Sequence, residues 1–128
     1  MVKRLTLVIW RDSVAAGDDA DAPHEWQLTV DAAATVDSVV RTIQSAGYLA
    51  SIAGGEATWI IEGARPIAVV AQQWTEPRFL VDRAMPMREV VKPSGRPHVE
   101  VRYWIQVSPD RVFDALRAGR PLPDRRND

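Results

Sequence analysis

The sequence predicts an α+β domain, a mostly antiparallel sheet in the order β-β-α-β-β-β-β-α with two helices packed on one face. Three observations predict it. Strand-like alternation recurs in residues 3–11, 24–31 and 98–108. Val36, Val39, Val40 and Ile43 fall at i, i+3, i+4 and i+7, which places four apolar side chains on one helical face. Glycine-bearing breaks then cut the central stretch into short apolar runs, as tight turns do.

Taken in order, residues 3–11 carry Leu5, Leu7 and Ile9 on one face and Thr6, Val8 and Trp10 on the other. Both faces are largely apolar, which predicts an interior strand. Residues 12–23 form an acidic loop rich in Ala, Gly and Asp, with Asp18, Asp19 and Asp21 near its tip. It reads either as a hairpin loop or as an acidic finger for a basic partner. Residues 24–31 alternate Trp26, Leu28 and Val30 against Glu25, Gln27, Thr29 and Asp31, a half-solvated strand that pairs with the first. Thr35 is placed to cap the central helix, Asp37 lies in its first turn, and Gly47 is placed to stop it. Strands are expected at 48–52, 58–62 and 66–74, with Gly54-Gly55 as a hairpin turn rather than a phosphate cradle.

After Trp74 the pattern loosens. Pro77 breaks the ladder, and Phe79-Leu80-Val81 suits an edge strand or helical turn. Residues 83–97, rich in proline, read as a long and partly ordered excursion. In 98–108, Val99, Val101, Tyr103, Ile105 and Val107 share one face, and His98, Glu100, Arg102, Trp104 and Gln106 the other. Ser108-Pro109-Asp110 starts a second helix with Val112, Phe113 and Leu116 as its apolar stripe and Gly119 as its stop. Residues 1–119 make one domain, and 120–128 a frayed tail.

With 128 residues, 46% of them hydrophobic, the chain has enough apolar material for a core without staples. It has no cysteine, which removes disulfides, thiolate catalysis and cysteine zinc sites together. Neither a signal peptide nor a membrane span is legible, so a soluble cytoplasmic protein is expected. The net charge of −1 argues against general nucleic-acid binding. It divides unevenly: residues 1–62 carry four basic and nine acidic side chains, residues 63–128 twelve and eight. The halves either make a dipolar surface or interleave in the sheet and cancel.

Catalytic signals are sparse. His24 and His98 are the only histidines, too few for a histidine-based metal site, and no phosphate-loop, dinucleotide or nucleophile-elbow motif is present. No metal or cofactor is therefore expected. His98, Glu100 and Arg102 share a strand face, which suits either cross-strand ion pairs or acid–base work on a phosphate. The tryptophans say more, at five in the chain. Trp104 sits among polar neighbours with Arg102, and Trp74 beside Glu76 and Arg78, combinations common at binding hot spots. The same rings could instead cover a second layer. The candidate partner-binding set is Asp18, Asp19, Asp21, Trp74, Glu76, Arg78, Glu100, Arg102 and Trp104.

Two resemblances bear on function. The opening hairpin followed by a helix beginning Thr35-Val36-Asp37-Ser38 looks like the start of a ubiquitin-like β-grasp, over about the first third of the chain. The whole chain resembles the small immunity proteins of bacterial polymorphic and contact-dependent toxin systems: short, cysteine-free, tryptophan-rich and α+β, with an acidic loop. The runs Ala57-Thr58-Trp59-Ile60-Ile61 and 66–74 carry that likeness. It implies tight, non-catalytic binding to a toxin domain, often a nuclease, blocked by steric cover. A basic nuclease groove would meet Asp18, Asp19 and Asp21. The near-zero net charge departs from the strongly acidic balance common in such inhibitors. The other readings are a β-grasp interaction module and a small-ligand enzyme working around His98, Glu100 and Arg102.

Overall fold

The computed structural model describes residues 3–11, 25–46, 58–72, 74–92, 97–104 and 108–122. Asp18, Asp19, Asp21, His24, Gly47, Gly54-Gly55, the expected strand at 48–52 and the tail beyond 122 lie outside the described residues.

Six strands form one mixed sheet: β1 (Arg4–Arg11), β2 (Glu25–Asp31), β3 (Thr58–Glu62), β4 (Pro66–Ala71), β5 (Arg78–Phe79) and β6 (His98–Tyr103). Helix α1 (Val36–Ser45) follows β2, and helix α2 (Pro109–Ala118) follows β6. The spatial order is β2-β1-β6-β3-β4-β5. Every adjacent pair is antiparallel except β1 and β6, which run parallel. The last strand therefore inserts at the centre, beside the first. The two oppositely charged halves of the chain interleave in the sheet.

Thr35 caps α1 through its hydroxyl, which accepts from the Ser38 N–H at 3.2 Å. Val36, Val39, Val40 and Ile43 are fully buried, as their spacing predicts. They meet Leu7 and Ile9 of β1, Trp59 and Ile61 of β3, Ala68 and Val70 of β4, and Val99, Val101 and Tyr103 of β6. A ten-residue helix is marginal alone, so this burial holds it in place, at about 1.5–3 kcal/mol for each large apolar side chain. Arg11 also enters this layer, with its guanidinium 5.7 Å from the Trp59 ring centroid. Tyr103 stacks at a tilt on Trp59, 4.8 Å between centroids, and burial pushes its phenol above the ordinary value.

The expectation that both helices share one face is corrected. Successive strand residues point to opposite faces. Trp59 and Ile61 face α1, whereas the intervening Ile60 packs with Val69, Trp104 and Val112 of α2. The helices thus cover opposite faces of the sheet. Helix α2 ends at Gly119, whose φ of 68° is left-handed as a glycine stop requires. Ser108 precedes it without a side-chain capping bond, so Pro109 supplies the start.

The described part of the expected excursion is firmly tied. Val36 N–H donates to the Met85 carbonyl at 2.9 Å, and Met87 N–H to the Ala34 carbonyl at 2.8 Å. Met87 and Val90 are buried in the α1 layer, the first opening a 3₁₀ turn at Met87–Glu89 and the second following it. Ala64 N–H donates to the Val90 carbonyl at 2.7 Å, where Gly63 permits the close approach.

Candidate functional site

The α2 side of the sheet divides into a covered half and an open half. In the covered half a cross-strand row runs Arg102, Ile60, Val69, Arg78. Ile60 and Val69 lie under Val112, with Phe113 and Leu116 packed alongside. Arg78 lies 4.0 Å from the Trp74 ring centroid and 5.9 Å from that of Phe113, and its Nη1 donates to Asp110 Oδ1 at 2.6 Å. Trp74 and Arg78 thus fasten β5 to α2. Glu76 reaches the other way and pairs with Arg41 of α1 at 3.5 Å. The expected Trp74–Glu76–Arg78 cluster is split between the two helices.

Of the two readings open for Trp104, the structure shows the covering one: the ring is 9% exposed and belongs to the layer beneath α2. Its position on the polar side of β6 is as expected. What the strand pattern lacked was the helix that covers that side. The Arg102 guanidinium stands 5.1 Å from its ring centroid and pairs with Glu62 at 3.4 Å.

The open half is built by β2, β1 and β6. Register places Trp10 between Glu25 on β2 and Glu100 on β6, and Glu100 beside Glu62 on β3. One row along, Val8 lies between Gln27 and His98. Beyond it, Thr6 and Thr29 share a hydroxyl–hydroxyl hydrogen bond of 3.0 Å. Glu25, Gln27, Thr29 and Thr6 are exposed, and Trp10 is 46% exposed, the one large hydrophobic among the described residues so displayed.

His98, Glu100 and Arg102 do share this face, as expected. Glu100 pairs with Lys92 at 3.2 Å and lies 3.6 Å from His98 Nε2. Each of these groups is thus engaged by a neighbour on the sheet. Among the described residues, no group of three or more His, Asp or Glu side chains is arranged to hold a metal ion. An open recess of about 360 Å³ lies by the C-terminal end of α2, lined by Arg111, Asp114, Ala115, Arg120 and Pro121; it shares no residue with the Trp10 face.

Sequence reasoning missed Trp10, Glu25 and Lys92. The signal for Trp10 lay in the hairpin register. Its face of β1 is shared with Glu25, Gln27 and Thr29 of β2, a polar set that belongs to water. No helix among the described residues is long and apolar enough to cross a membrane. Compared with protein-family models, curated proteins and solved structures, the chain shows no significant match.

Proposed function

We propose that this chain is a non-catalytic protein-binding domain, an immunity protein that covers a cognate bacterial toxin domain in the cytoplasm. The observation that carries the reading is the open half of the sheet, where an exposed tryptophan stands among charged side chains of both signs. An indole on a rigid strand buries much area for little entropy lost, and charged neighbours steer encounter and set register. The resemblance in type to immunity proteins narrows the partner to a toxin, with a nuclease as the leading case.

A second reading is favoured by topology. The first strand runs parallel to the last at the centre, the hairpin partner lies outside, and a helix crosses one face. That order resembles a β-grasp sheet with one short edge strand added, and it supports a ubiquitin-like interaction module. Both readings make the chain a binder.

The test is to read what the adjacent reading frame encodes and to co-express the chain with any toxin-like domain found there. A stoichiometric complex of nanomolar affinity that silences the toxin is the expected result. Turnover of a metabolite by the purified chain, lost in His98→Ala, would overturn both readings.

A further inference from the structure

The open half of the sheet has a more specific chemistry than protein binding in general, and the inference drawn from it rests on the binding reading above. Trp10 is centred in a row, with one carboxylate directly across on each side: Glu25 on the antiparallel neighbour and Glu100 on the parallel one. Directly opposed residues on an antiparallel pair hold their Cβ atoms about 4.5–5.5 Å apart, so the Glu25 carboxylate is within side-chain reach of the indole. A third carboxylate, Glu62, follows Glu100 in the same row.

Among the described residues, Lys92 pairs with Glu100 and Arg102 with Glu62 along this row. The pair nearest Trp10 is solvent-accessible, with Lys92 and Glu100 side chains 36% and 35% exposed, whereas Arg102–Glu62 is half-buried. Solvent-accessible pairs are weak and exchange readily. Glu25 makes no ion pair among the described residues.

We infer that the Trp10 face is a docking platform for an arginine side chain of a basic protein partner. The guanidinium would lie on the indole and share its N–H groups with Glu25 and Glu100. Arginine fits better than lysine because its planar group stacks on an aromatic face and donates sideways to two carboxylates at once. The complementary charge, not the apolar area alone, selects the partner: a groove or loop rich in arginine rather than an acidic surface.

The test uses the full chain labelled with ¹⁵N and a nine-residue arginine peptide as probe, with a nine-residue glutamate peptide as control. The Trp10 indole N–H peak is identified by its loss in Trp10→Phe, whose unfolding midpoint reports that the fold is kept. The arginine peptide should shift the Trp10 peak, and the glutamate peptide should leave it still. Trp10→Ala should weaken the peptide about three- to thirtyfold, the range of a cation–aromatic contact. Glu25→Gln with Glu100→Gln should remove most of the shift. A stationary Trp10 peak, or a shift unchanged in that double variant, overturns the inference. If the peptide binds there and no toxin partner exists, this site stands and the inhibitor reading falls. If a toxin binds with a footprint that omits Trp10, and the peptide leaves Trp10 unmoved, the site falls and the inhibitor reading stands.

Discussion

Trp10 and Trp104 exchange the roles that strand alternation suggests for them, and their substitution should show it. Trp104 lies in the layer beneath α2 with Ile60, Val69 and Val112. Trp104→Ala should therefore cost about 3–5 kcal/mol of folding stability in urea titration, the range for emptying a buried aromatic site. Trp10→Ala should change stability by no more than about 1 kcal/mol, as exposed sites do. At Gly63 the constraint is space rather than backbone angle. An added Cβ would overlap the Val90 carbonyl oxygen, which is backbone and cannot swing away. Gly63→Ala should destabilise by about 1–3 kcal/mol and raise amide exchange at Ala64, whose N–H is bonded to that same oxygen.

Among elements, α1 is tied to residues 83–87 by Asp37. Its carboxylate accepts from Arg41 Nε at 2.9 Å and from Arg83 Nη2 at 2.6 Å. Those two bonds, Arg41 first, hold the Asp37 carboxyl below the usual value of 3.8. In acid the unfolded chain then takes up this proton before the folded one does, so stability rises with pH across that window. The contribution is fully present above pH 3.8 and is lost as pH falls through the folded value. Asp37→Asn should lower the urea midpoint at pH 6 and narrow its gap to the parent as pH drops toward 2. Equal gaps at both pH values would remove this account of the tie. At the opposite face, α2 should loosen when its stop is changed: Gly119→Ala forces a φ of 68° on a residue with a Cβ, at a cost of about 1–2 kcal/mol.

Across the whole molecule, local features were legible and non-local ones were not. The apolar spacing of α1, its Thr35 cap, the interior character of β1 and the runs that become β3 and β4 were all written in short windows of sequence. Residues 83–92 lacked any period, yet Met87 and Val90 enter the core there, because main-chain bonds to Ala34, Val36 and Ala64 set their path. The parallel seam of β1 with β6 joins residues about ninety apart in sequence, and no local pattern encodes it. From that seam follows where α2 lands, and so which tryptophan is covered and which is displayed. Of the expected site, Glu100 sits in the open half, Arg102 in the row that leads under α2, Trp74 and Arg78 serve α2, and Glu76 serves α1. The most direct measurement is the affinity of the purified chain, and of its Trp10→Ala variant, for the protein domain that it captures from its native host or that a neighbouring reading frame encodes. Nanomolar binding by the parent, weakened about thirtyfold or more in a variant of unchanged unfolding midpoint, is the predicted result for a hot-spot tryptophan. Equal affinity in the two, or no binding together with His98-dependent turnover of a small molecule, would contradict it.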